Sequence, residues 1–178
     1  MPNISLFVDG SNMFHAQKKM GFHIDYVRLK DYFSKGKNLT NCIYYKGVMP
    51  SESPKEQKFL TYLTYNGFSI VKKEVKTIYD DYSGEPKQKC NLDIEIAIDM
   101  VNYADKYDEA ILFSGDGDFE RAVKLLRDRG KIIKIASCRG MIARELAQVA
   151  NQLIFLEEHK RFIQRVDKKD KEKKKIGK

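Results

Sequence analysis

The sequence predicts an α/β protein: a doubly wound parallel sheet with helices on both faces, three layers in all. Three observations carry this. Short apolar runs rich in β-branched residues alternate with amphipathic segments along most of the chain. The 178 residues suffice for one domain with a sizeable core, and 42% apolar content suits a globular chain. Two apolar runs, 4–8 and 109–113, lead straight into an acidic, glycine-bearing turn and then a helical segment. That order is the grammar of a strand ending at a ligand-binding edge.

Residues 4–8 form the first strand, and Ser11 or Asn12 caps a short helix that Gly21 ends. Asp25 caps a second helix with Val27, Leu29, Tyr32 and Phe33 as its apolar members, ending near Gly36. Residues 41–48 are a strand rich in Ile, Val and Tyr. Pro54, tolerated in a first helical turn, opens a helix with Phe59, Leu60 and Leu63 inward, ended by Gly67. Residues 68–78 alternate partly and read as one strand. Residues 80–89, polar and containing Gly84 and Pro86, read as a mobile loop.

Leu92, Ile96, Met100 and Tyr103 repeat at helical spacing and predict a helix over 92–103. The strand 109–113 then leads into a helix over 119–129, with Phe119, Ala122, Val123 and Leu126 inward. A strand at 131–136, a loop at 137–140, a short helix at 143–150 and a strand at 153–156 follow. A last helix over 158–166 runs into the tail. The domain is read as 1–164 and the basic, disordered tail as 165–178.

The formal charge is +8, of which residues 165–178 contribute +5. The basic excess therefore belongs mainly to the tail, which is either a non-specific hold on a polyanion or a solubilising end. No apolar run is long enough to span a membrane, and Asp9 interrupts the first one too early for a signal segment. The expected location is cytoplasmic. Cys42, Cys90 and Cys138 are far apart and form no CxxC pair, so they read as reduced thiols rather than zinc ligands or a disulfide framework. His15, His23 and His159 show no metal spacing. His15 reads as a surface or core residue, although the first helix is able to turn it to the site.

The chemistry concentrates in carboxylates. Asp9 and Asp116 both follow buried strands, and if those strands are neighbours their charges converge. Like charges held together are costly unless a cation joins them. Asp118 reads either as part of that set or as a cap on the following helix. Asp93 opens its helix at the end nearest the preceding loop. Asp99 points about 120° away from Asp93 on the same helix and is read as supporting. Hard oxygen ligands without a His or Cys cluster favour Mg²⁺ or Mn²⁺, which suits hydrolysis of phosphodiesters.

The stretches Phe7-Val8-Asp9-Gly10-Ser11-Asn12, Lys89-Cys90-Asn91-Leu92-Asp93 and Ser114-Gly115-Asp116-Gly117-Asp118-Phe119 resemble the three motifs of NYN domains. These belong to the PIN-like nuclease superfamily, and the similarity is to its bacterial LabA-like group. The segment 150–156 also resembles that group's last strand, with Asn151 where an Asp is usual. The resemblance spans about residues 3–157 and implies a metal-dependent ribonuclease on a PIN-like, Rossmannoid sheet.

Carried over, Asp9, Asp93, Asp116 and Asp118 would be the catalytic, Mg²⁺- or Mn²⁺-binding set. Asn12 would orient Asp9 or a metal water. Ser114 would hold an acidic side chain or approach phosphate. Lys89, Lys87 and Arg139 would meet RNA phosphates, the alternative for these cations being a solvated surface. No general-base histidine is required where a metal activates water. RNA is the expected partner, no membrane is, and a homodimer remains open. The rival from another class is a non-catalytic RNA-binding or regulatory module that keeps the acidic pocket. Toprim-type nucleases want a Glu after the first strand, and haloacid-dehalogenase phosphatases want a second Asp two residues after the first; this chain offers neither.

Overall fold

A computed structural model describes residues 1–51, 53–79 and 86–166, with the backbone alone at 77–79 and 86–89. Six strands form one parallel sheet: β1 (Asn3–Asp9), β2 (Asn38–Val48), β3 (Ser69–Glu74), β6 (Glu109–Phe113), β7 (Ile132–Ser137) and β8 (Gln152–Phe155). Their order is β3-β2-β1-β6-β7-β8. The chain starts in the middle, winds outward to β3, and returns to lay β6 against the other side of β1. The winding direction reverses between β1 and β6, and the crevice at the carboxyl ends of such a strand pair is where ligands bind in open α/β sheets.

Both faces of the sheet are covered, which explains the continuous apolar runs of its central strands. Side chains alternate across a strand. Leu6 and Val8 of β1 pack with Met13, Leu29, Leu60 and Phe113 in one core, while Phe7 packs with Ile96, Met100, Leu112 and Val123 in the other. The first core belongs to helices α1 (Gly10–Met20), α2 (Tyr26–Phe33) and α3 (Pro54–Tyr65). The second belongs to α4 (Asp93–Asn102), α5 (Glu120–Asp128) and α6 (Arg144–Val149). The expected three-layer α/β/α architecture is therefore observed.

Three local expectations need correction. Residues 68–78 are not one strand: β3 ends at Glu74, and β4 (Lys76–Tyr79) leaves the sheet to pair antiparallel with β5 (Pro86–Lys89). Part of the expected loop 80–89 is thus a strand, and residues 80–85 lie outside the described residues. The last helix is shorter than 158–166. A 3₁₀ turn over Leu156–His159 leads into α7 (Lys160–Ile163). The chain then lies extended: Gln164 bridges to Ile24, and the Arg165 N–H donates to the carbonyl of His23 at 2.8 Å. The Gln164 N–H still donates to the Lys160 carbonyl, but the Arg165 N–H turns to His23 and the Ile163 carbonyl accepts from the Asp25 N–H, so the helix stops there. The tail lies outside the described residues from 167 onward. All three cysteines are free, two of them buried, and burial pushes the Cys42 thiol up to about 12.

Candidate functional site

Val8 and Phe113 are partners in the β1–β6 register, so Asp9 and Ser114 leave the sheet side by side. Asp9 ends β1 in an extended conformation and caps α1. Its Oδ1 accepts from the backbone N–H groups of Ser11 and Asn12, both at 3.0 Å. Such a cap satisfies donors that the first helical turn leaves unpaired, and the helix dipole favours its negative charge. Its Oδ2 accepts from the Ser114 hydroxyl at 2.9 Å. Burial raises the Asp9 carboxyl above its usual value, and these hydrogen bonds oppose that rise. Gly10 allows the helix to start here, because a Cβ would come 2.5 Å from the Tyr45 carbonyl of β2.

Asn12 does not orient Asp9 through its side chain. Its backbone N–H donates to Asp9, whereas its Oδ1 accepts from the Gly115 N–H at 3.2 Å and the Ser137 hydroxyl at 3.3 Å. Asn12 therefore ties α1 to the turns after β6 and β7. Ser114 holds Asp9, the first of the two roles expected for it, and its Oγ also accepts from the Asp116 N–H at 3.3 Å.

Asp116 is the cap of the short 3₁₀ turn that precedes α5: its Oδ1 accepts from the Asp118 N–H at 3.1 Å. The capping role considered for Asp118 thus belongs to Asp116. The reason is positional, since the turn begins at Gly117 and Asp118 is already inside it.

Asp9, Asp93 and Asp116 line one cleft of about 520 Å³, together with Asn12, Phe14, His15, Lys46 and Cys90. Asp118 is exposed and lines a separate shallow groove between α4 and α5 with Ile98 and Leu125. Its charge is nonetheless felt at Asp93. Burial first, then the charges of Asp116, Asp9 and Asp118, push the Asp93 carboxyl up to about 6, against a hydrogen bond with Asn91. Among the described residues, none of the ion pairs includes any of these four aspartates.

Asp99 stands apart from the cleft, accepting from the Tyr45 hydroxyl at 2.9 Å. Arg139 does not line the cleft. It pairs with Glu158 and lies 4.2 Å from the centre of the Phe155 ring. Lys87 and Lys89 sit on β5, and their side chains lie outside the described residues.

Sequence reasoning missed Phe14 and Lys46, and gave His15 a place at the site only as its second reading. Phe14 carried a usable signal: an aromatic residue off the apolar stripe of α1, two positions after a site asparagine. Lys46 carried none, as a lysine in a strand says nothing about the cleft it borders.

Whether these residues suit a divalent ion is a matter of donor chemistry. Among the described residues no three His, Cys, Asp or Glu side chains are grouped closely enough to hold an ion by themselves. Mg²⁺ dehydrates reluctantly and is usually held by one or two carboxylates with several waters retained. Asp93 and Asp116 on the walls of an open cleft supply the one or two carboxylates that such a hydrated ion needs.

The raised carboxyl of Asp93 also sets a pH dependence. Its folded pKa of about 6 exceeds the ordinary 3.8. Between those values the folded state binds the extra proton, so stability falls as pH rises through that window. Glu95 and Glu109 are lowered, by Lys73 and by Lys37 with Lys134 respectively, and lose their contributions only at lower pH, below about 4.5. In chelator, Asp93→Asn is expected to melt higher relative to wild type at pH 7.5 than at pH 5. An equal difference at both pH values in thermal melts would show that no strained carboxylate sits there.

The comparisons with known proteins agree with this architecture. The sequence matches the NYN domain family over residues 3–157. It is 40% identical over 169 residues to the low amplitude and bright protein LabA of Synechococcus elongatus, covering 93% of this chain and 89% of that one. The fold is similar to that of VPA0982, a protein of unknown function from Vibrio parahaemolyticus. The TM-score is 0.73 at 22% identity, over 91% of this chain and 96% of that one. Among the described residues no helix is long and apolar enough to cross a membrane. The chain therefore belongs to the NYN domain family, in its LabA-like group, and carries a nuclease-type fold of the PIN-like superfamily.

Proposed function

We propose that this protein is a ribonuclease that hydrolyses RNA phosphodiester bonds with the aid of Mg²⁺ or Mn²⁺ at its acidic cleft. The observation that carries this is the meeting of Asp9, Asp93 and Asp116 on the walls of one cleft at the β1–β6 crossover, with Asp93 driven up by burial and by the charges of its acidic neighbours. Carboxylates at such a place repel the phosphate backbone unless a cation intervenes. Asp93 and Asp116 would hold the ion, with Asp9 anchored beneath by Ser114 and the start of α1. A divalent ion supplies there an activated water and stabilisation of charge on the phosphate. The chain itself supplies rigidity. Asn12 and Ser114 fix the two strand ends against each other, so the carboxylates keep their places as charge develops.

RNA is the substrate that the family membership favours, with the cytoplasm as its compartment. Lys87 and Lys89, on the β5 strand just before the 90–93 segment of the cleft, would neutralise phosphates. A second reading has its own observation. Both oxygens of Asp9 are engaged by the protein, and no described group of acidic side chains forms a ready chelate, as in a module that binds RNA without cutting it. The deciding experiment incubates a labelled single-stranded RNA with the protein. Cleavage is expected on adding Mg²⁺ or Mn²⁺ and should stop with chelator. RNA that is bound but left intact under all three conditions would establish the second reading instead.

A further inference from the structure

Beside the acidic cleft lies a second groove of about 410 Å³, whose lining includes Phe14, His23, Lys46, Lys55, Glu56 and Arg165. Gly10, Phe14 and Lys46 border both hollows, so the two share a wall. Phe14 is 52% exposed, while Met13 and Ala16 take the core side of α1. Its ring therefore contributes little to the core and stands at the junction of cleft and groove. The Lys18 ammonium lies 4.3 Å from the ring centre and adds positive charge there.

The electrostatics of the two hollows are opposite. The cleft carries three aspartates, and the groove carries Lys46, Lys55 and Arg165 against Glu56, which pairs with Lys46 at 3.0 Å. Beyond Arg165 the sequence adds seven lysines and three acidic residues. A polyanion repelled by the cleft needs a cationic hold close by. An exposed aromatic ring beside cations is how single strands are held without regard to sequence.

We propose that this groove binds single-stranded RNA next to the cleft, with an unpaired base stacked on Phe14 and the flanking phosphates on Lys46, Lys55 and Arg165. The position of the strand relative to the cut bond rests on the ribonuclease reading, whereas the binding itself does not. Duplexes keep their base faces stacked internally and present none to Phe14, so the groove selects unpaired strands.

The chain contains no tryptophan, so Phe14→Trp places a single indole at the junction. In chelator, where metal-dependent cutting is off, a single-stranded oligouridine should quench its emission saturably, and less so as salt rises. A duplex of equal length should not quench it. By fluorescence anisotropy, Phe14→Ala should weaken single-strand binding roughly tenfold, as loss of one stacked base implies, and Phe14→Tyr should restore it. Lys55→Glu should weaken binding and flatten its salt dependence. The proposal is overturned if the oligonucleotide binds without changing the indole emission and with an affinity indifferent to Phe14→Ala and Lys55→Glu. Absence of any single-strand binding overturns it equally. Failure of the ribonuclease reading looks different: quenching persists, but no metal cuts the RNA.

Discussion

Asp116→Asn is expected to lower metal-dependent RNA cleavage at least about a hundredfold and yet to leave the metal-free protein as stable as wild type, or more so. The two effects have separate causes. The charge of Asp116 is among those that raise Asp93, so removing it relieves repulsion in the cleft. The structural duty of Asp116 survives the change. It caps the turn by accepting from the Asp118 N–H through Oδ1, and the Asn amide oxygen can accept the same bond, Asn being as good a cap as Asp.

What Asn cannot supply is the negative charge that a divalent ion needs. Ion binding at a hundredfold excess over Kd stabilises the folded state by about 2.7 kcal/mol, roughly 5–10 °C for a domain of this size. Wild type should gain that on adding Mg²⁺, and Asp116→Asn should gain much less, so the order of melting reverses. Melts of both proteins, each in chelator and in Mg²⁺, read all four states. If Mg²⁺ moves neither melt and the variant is simply weaker in both, the carboxylates are scaffold and the ribonuclease reading is lost.

The site was legible where its chemistry is local. A strand, an Asp and a helix start within a few residues require the carboxylate to sit at the carboxyl edge of the sheet, and both Asp9 and Asp116 do. The adjacency of β1 and β6 was only a condition in the sequence; the pairing of Val8 with Phe113 meets it. The hairpin of β4 and β5 was not legible. Two lysines and a proline make up most of β5, so no apolar alternation marks it, and β4 reads as a mere continuation of β3; backbone pairing between two short segments leaves no trace in composition. Arg139 shows the same limit from the other side. Its charge suggested phosphate at the cleft, and the structure sets it outside the cleft lining, beside Glu158 and Phe155. Phe14 and Lys46 reach the cleft because α1 and β2 meet there, a fact of packing rather than of any motif.

Packing also sets the second large effect: Gly115→Ala is expected to destabilise the protein by about 3 kcal/mol or more, at the upper end of what overpacking costs. Gly115 is buried between the two site turns. Its N–H donates to Asn12 Oδ1, and its carbonyl accepts from the Ala143 N–H at 2.8 Å. A methyl group on Gly115 would collide with the Met141 carbonyl oxygen, 2.6 Å from its carbon, and would lie 3.0 Å from the Ile142 Cα. All of these are backbone atoms, so relief requires the 141–143 segment to move, which would pull on both hydrogen bonds.

Gly117→Ala is the control. Its methyl would meet chiefly the end of the Glu145 side chain, which is free to swing away, so the cost should stay under about 1 kcal/mol. On melting, the first variant should fall by roughly 6–12 °C and the second by no more than about 4 °C. Because Gly115 holds Asp116 in register with Asn12, cleavage in Gly115→Ala should fall further than the unfolded fraction accounts for. Equal melting of the two variants would show that the 141–143 backbone yields, and that the two turns of the site are not locked together at Gly115.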